Sequence, residues 1–155
     1  MADINLTQDE ADKLMAMEKR AADEKEWLFP APGYGVAIPL TSLDKRESFM
    51  LDVTRAQIKL TEATYQNRAR VAIILMRLDL DGPPHRNPDG EEVSCPHLHI
   101  YREGYGDKWA IPAPVARYTN TLDLFSTFEA FISIATSSTR PTFRKACSHD
   151  HAAGD

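Results

Sequence analysis

Two spacings of apolar residues divide this chain. Near the start, Ala11, Leu14, Met17 and Ala21 fall at helical intervals, and Thr7 with Glu10 has the spacing of a capping box. A one-sided helix is therefore predicted to begin near Thr7 and to stop before Pro30 and Pro32, with Asp9, Asp12, Lys13, Lys19, Arg20 and Asp23 on its solvated face. From Gly33 onward the period becomes two. Val36 and Ile38 mark a short strand, and Phe49, Leu51 and Val53 alternate with polar neighbours as in a half-buried strand. Ile58 and Leu60 continue the alternation, which predicts a hairpin turning near residues 54–56. Residues 71–80 form the most apolar run and read as a central strand, buried on both faces until Arg77 and Asp79.

Gly82, Pro83, Pro84, Asn87, Pro88, Asp89 and Gly90 then interrupt any regular element. Residues 95–103 predict a further strand, pairing with 108–111 across the turn 104–107. Asn120 or Thr121 can cap a last helix whose Leu124, Phe125, Phe128, Phe131 and Ile132 form a core stripe. The sum is an α+β fold: N-terminal helix, antiparallel sheet of about five strands, C-terminal helix. Residues 1–135 read as one domain and 136–155 as a polar, flexible tail, in which His149 and His151 have nothing to hold them in place.

Composition narrows the class. With 155 residues, 43% hydrophobic and 26% charged, the chain can build a core without disulfide or metal staples. No run approaches the about 20 apolar residues of a membrane span, and the first residues lack an export-signal layout, so a soluble cytoplasmic protein with no membrane partner is expected. The two cysteines, Cys95 and Cys147, are far apart and outside any CxxC spacing, which disfavours a disulfide framework or a cysteine-rich zinc module. The net charge of -5 disfavours a generic nucleic-acid coat, yet Arg55, Lys59, Arg68, Arg70 and Arg77 make a basic stretch that runs into the acidic Asp79, Asp81, Asp89, Glu91 and Glu92.

The most informative stretch is 95–105. Strand alternation sets Leu98 and Ile100 on one face and His97, His99, Tyr101 and Glu103, with Cys95, on the other. His85 precedes them in the Pro- and Gly-rich loop, so three imidazoles can converge. Two chemistries stay open. One is metal-free acid–base catalysis by His97, His99, Glu103, His85 and Tyr101. The other is a zinc or related divalent site built from His85, His97 and His99, with Cys95 or Asp89 as a further ligand. Lys59, Tyr65, Arg68, Arg70 and Lys108 combine cations with an aromatic ring, a mixture suited to holding a phosphodiester backbone and stacking a base.

The block Leu78-Asp-Leu-Asp-Gly-Pro-Pro-His-Arg-Asn-Pro-Asp-Gly90, followed by Pro96-His-Leu-His-Ile-Tyr-Arg-Glu-Gly-Tyr-Gly-Asp-Lys-Trp-Ala110, resembles an uncharacterised family of small bacterial and prophage proteins. That likeness implies a genomic setting among toxins, antitoxins and inhibitors of host defence, and carries over no known activity. The order of elements is also loosely similar to the barnase and RelE-like ribonuclease toxins. This likeness implies acid–base roles for His97, His99 and Glu103, phosphate binding by Arg68 and Arg70, RNA as substrate and a cognate antitoxin as partner. The leading expectation is a small phosphodiester-cleaving enzyme without a cofactor. The alternative is a non-enzymatic inhibitor that docks its acidic N-terminal segment, Asp9, Asp12 and Asp23, on a host defence complex.

Overall fold

The computed structural model describes residues 5–135 and 141–144. The elements in chain order are α1 (Gln8–Ala16), β1 (Lys19–Ala21), β2 (Glu26–Leu28), β3 (Gly35–Ser42), β4 (Ser48–Arg55), β5 (Ala63–Ala69) and β6 (Ile73–Leu80). There follow β7 (His85–Arg86), β8 (Glu92–Val93), β9 (His97–Ile100), β10 (Ala110–Pro112), α2 (Leu124–Ala135) and β11 (Thr142–Arg144). Seven strands form one antiparallel sheet in the order β1-β3-β4-β5-β6-β9-β10. Two small pairs lie outside it: β7 with β8, and β2 with β11 in parallel. The α+β class holds, with a wider sheet than the expected five strands. No helix among the described residues is long and apolar enough to cross a membrane.

The first helix starts where its capping box places it, the Thr7 hydroxyl accepting from the Glu10 amide. It ends at Ala16, well short of the prolines, because of Lys19. This side chain is fully buried, and its ammonium donates to the carbonyls of Leu14 (2.7 Å), Met17 (3.0 Å) and Met15 (3.2 Å) while lying 4.6 Å from the centre of the Phe49 ring. Those are carbonyls that a helix end leaves without intrahelical donors, so a cation here closes the helix and complements its dipole. The placement of Lys19, Arg20 and Ala21 on the helix is thereby corrected: all three belong to β1. Burial pulls the Lys19 ammonium down to about 8, and the three carbonyls and the ring face are what answer its charge.

The partner of β4 also differs from expectation. Ile58 and Leu60 lie exposed in the connection after β4, and the chain returns as β5. The inward positions of β5 are Ala63, Tyr65, Asn67 and Ala69, so only one large apolar side chain marks a strand whose inner face is wholly buried. Tyr65 is central to the core. Its ring lies 5.1 Å from Phe128 and 6.1 Å from Phe131, its hydroxyl donates to the Leu124 carbonyl at 2.7 Å, and burial pushes its phenol pKa up. The expectation that Tyr65 stacks a base is therefore corrected; the ring has no free face.

The C-terminal helix is capped by Asp123, whose carboxylate accepts from the Ser126 amide, rather than by Asn120 or Thr121. Its stripe of Leu124, Phe128, Phe131 and Ile132 covers the apolar face of the sheet, packing with Ile38, Leu51, Leu75 and Leu78. Past residue 135, β11 is ordered against β2, with Arg144 paired to Glu26, so the predicted tail includes a strand. Cys147, His149 and His151 lie outside the described residues. With helices on one face, the other face of the sheet is free of helices and is covered only in part, by the β7–β8 hairpin over His99; this open face carries Asp52, Gln66, Arg68, Arg77, Asp79, His97 and His99.

Replacing Lys19 by Met should lower stability at pH 7 by about 1–3 kcal/mol, since three acceptors lose their donor at once. The folded ammonium releases its proton at about 8 and the unfolded one at 10.5. Between those values the unfolded chain binds more protons, so wild-type stability measured against Lys19→Met should rise with pH, by at most about 1.4 kcal/mol per unit. Urea titrations from pH 7 to 10.5 check this, and a flat difference would contradict it.

Candidate functional site

Antiparallel pairing sets Asp79 of β6 opposite His97 of β9 on one side and Thr64 of β5 on the other, while Arg77 lies opposite His99 and Gln66. All of these side chains stand on the open face. Oδ2 of Asp79 lies 3.0 Å from Nε2 of His97 and 3.1 Å from Nε2 of His99, and its Oδ1 accepts from the Thr64 hydroxyl at 3.0 Å. The Arg77 guanidinium approaches Asp79 through Nε at 3.3 Å, donates through Nη1 to the Asp107 carboxylate at 2.6 Å and reaches Nε2 of His99 through Nη2 at 3.1 Å. Burial works to raise the Asp79 pKa. The hydrogen bond from His99, the Arg77 charge and the Thr64 hydroxyl outweigh it and hold the carboxyl well below the usual range.

Ring protons follow from the partners. Nδ1 of His99 lies 2.7 Å from the Asp107 carbonyl, which can only accept, so it carries the proton. Nε2 lies 3.1 Å from the Asp79 carboxylate and 3.1 Å from Nη2 of Arg77, so both ring nitrogens are engaged. His97 donates through Nε2 to Asp79, which leaves its Nδ1 bare, 3.5 Å from the sulfur of Cys95. Burial pushes the His97 pKa down, partly opposed by Asp79, so the ring is neutral at pH 7. Both rings are almost fully buried, whereas Asp79 keeps 20% of its side chain exposed.

His85 reaches the cluster from the β7–β8 hairpin. Its Nε2 donates to the Lys108 carbonyl at 2.7 Å, and its ring centre lies 4.5 Å from that of His99 and 5.9 Å from that of His97. A second tether holds the hairpin in place. The Asn87 side chain donates to the Ala110 carbonyl at 2.9 Å and accepts from the Ala110 amide at 2.8 Å. His85, His97 and Asp79 line a cleft of about 240 Å³, closed on other sides by Thr64, Gly82 and Pro83.

Other expected site residues sit elsewhere. β9 ends at Ile100, the alternation breaks, and Tyr101 turns into the core, where its hydroxyl accepts from the Leu6 amide and donates to the Leu6 carbonyl. Glu103 lies beside the start of α1, its carboxylate accepting from the Gln8 amide at 3.4 Å. Neither belongs to the histidine cluster, which corrects their assignment as catalytic groups. Arg68 shares the open face but is held by both oxygens of Asp52, and Arg70 is held by both oxygens of Glu47. Lys59 pairs with Asp81 at 2.9 Å. Lys108 is exposed next to the turn that holds His85, and the neighbouring Trp109 ring is covered by the Arg102 guanidinium at 4.2 Å. The acidic N-terminal set is dispersed too: Asp9 pairs with Lys13, Asp12 accepts from Gln8, and Asp23 lies beyond β1.

The residues that sequence reasoning missed are Asp79, Arg77, Asp107 and Asn87. One signal was available. A carboxylate and a guanidinium inside an otherwise apolar central strand demand partners on the neighbouring strands.

An α+β domain with one covered sheet face and one open face bearing a histidine–carboxylate cluster is the class that these features define. Residues 6–136 match the model of DUF6978, described as a family of unknown function, and the chain belongs to that family. No curated protein and no solved structure matches it significantly.

Asn87→Ala should free the β7–β8 hairpin at a cost of about 1–3 kcal/mol locally. Hydrogen exchange should quicken at the Ala110 amide while β4 and β5 stay protected. Unchanged exchange at Ala110 would show that the hairpin is held by other contacts.

Proposed function

We propose that the chain is a small phosphodiester-cleaving enzyme acting on RNA, with His85 and His97 as its acid–base pair. The observation that carries this reading is that two imidazoles line one cleft, each with Nε2 spent on a fixed acceptor and Nδ1 left as the basic nitrogen. A His oriented by a buried ionised carboxylate is the usual arrangement of a general base. In this role His97, neutral and backed by Asp79, takes the proton of the attacking 2′-hydroxyl. A protonated His85, more exposed and at the cleft mouth, returns a proton to the departing 5′ oxygen. The P–O bond to the 2′ oxygen forms as the bond to the 5′ oxygen breaks, so protons and charge balance.

His99 has both ring nitrogens occupied, so it acts as a positioning residue for Asp79 and Arg77. Lys108 at the margin and Lys59 near the cleft supply positive charge for the phosphate. Arg68 and Arg70 are too firmly paired, with Asp52 and Glu47, to add to this set.

The test is cleavage of single-stranded and hairpin RNA by purified chain. His85→Ala and His97→Ala should each slow cleavage by about 100-fold or more, the range of a lost acid or base, with circular dichroism unchanged. Absence of RNA cleavage by wild-type chain, or full activity in both variants, would overturn the reading.

A further inference from the structure

The histidine cluster holds a feature that proton transfer does not use. Nε2 of His99 lies 3.1 Å from Oδ2 of Asp79. The Arg77 guanidinium lies within 3.3 Å of both atoms, so a cation already stands beside this pair. Nε2 of His97 converges on the same carboxylate oxygen, and the three ligand atoms all lie within 4.8 Å of one another.

We propose that Asp79 Oδ2, His97 Nε2 and His99 Nε2 form a site for a divalent transition-metal cation of the zinc type, and that the cation withdraws His97 from the acid–base pair. Donors bound about 2.0–2.2 Å from one cation stand about 3–3.5 Å apart, and the Asp79 distances of 3.0 and 3.1 Å meet that spacing. The second shell also fits. His99 already donates its other ring nitrogen to the Asp107 carbonyl, the partner that orients a metal-bound imidazole. Two imidazoles and one carboxylate favour zinc, cobalt or nickel over magnesium or calcium, which take oxygen donors. The exposed part of Asp79 faces the cleft, giving a path of entry.

Two changes accompany binding. Arg77 leaves Nε2 of His99, which must ligate without a proton, and keeps its bond to Asp107, and the His97 proton moves from Nε2 to Nδ1, where it faces the Cys95 sulfur. With Nδ1 protonated, His97 cannot accept the substrate proton. This antagonism rests on the function proposed above; the binding itself does not. The site differs from the three-histidine set expected from sequence, because Asp79 takes the place of His85, whose Nε2 is held by the Lys108 carbonyl.

The test uses untagged full-length chain carrying His149→Ala and His151→Ala, so that the tail contributes no imidazole. Titration calorimetry with zinc chloride should give one site, and cobalt chloride should give visible absorption bands of a nitrogen- and oxygen-ligated ion. His99→Gln and Asp79→Asn should each weaken binding by more than the roughly 10–100-fold that a lost outer partner costs. Arg77→Met removes the competing cation and should tighten binding, which keeps the test informative if either ligand variant fails to fold. No saturable binding, or binding unaltered by His99→Gln and by Arg77→Met, overturns the site. Zinc should suppress RNA cleavage and a chelator restore it; cleavage that a chelator abolishes overturns the antagonism. If wild-type chain cleaves no RNA while zinc binds as described, the function proposed above falls and the metal site stands.

Discussion

A carboxylate placed mid-strand in a sheet must be answered from the strands on either side, and the Asp79 carboxylate imposes this demand on the whole open face. Thr64 answers from β5, Arg77 from its own strand, and His97 and His99 from β9. Each of those groups then needs a partner of its own. His99 and Arg77 find theirs in Asp107, which fixes the turn after β9, and that turn supplies the Lys108 carbonyl that fixes His85. One charge thus organises three strands, one turn and one hairpin, whereas the apolar face beneath holds its helices by packing, with the Tyr65 hydroxyl as a polar tie to α2.

How much of this could be read from the chain depended on which force set each element. The start of α1, strand β4 and the aromatic stripe of α2 follow from local pattern and burial and stand where the periodicity places them, and β9 pairs with β10 as expected although both strands are shorter than 95–103 and 108–111. β1 was hidden because Lys19, a strongly polar residue, is the one that is buried. β5 was hidden because its inner face is built of two alanines, an asparagine and a single tyrosine. β2 and β11 pair across more than a hundred residues, and three-residue strands carry no period to detect.

The site was legible in part. His-x-His on a strand, with a third histidine in the loop before it, pointed to the right region, and the structure brings the three rings together. Tyr101 and Glu103 were misplaced because alternation was extended past Ile100, where the strand ends. The cations were over-read for a different reason. A sequence shows that Arg68 and Arg70 exist, but only the fold brings Asp52, diagonal to Arg68 across the β4–β5 pair, and Glu47, just before β4, within reach to claim them. Asp79 was visible as an anomaly in an apolar run, without any hint of which partners would surround it.

The Asn87 amide has a meaning beyond holding a hairpin. β10 is the last strand of the sheet, and such a margin offers its unpaired backbone to any other extended chain. By covering both the N–H and the C=O of Ala110, the amide imitates one residue of an eighth strand. The sheet is thereby terminated by a side chain: the surface that would otherwise template the addition of a foreign strand is already occupied where β10 begins, and a strand adding along this margin would first have to displace that amide.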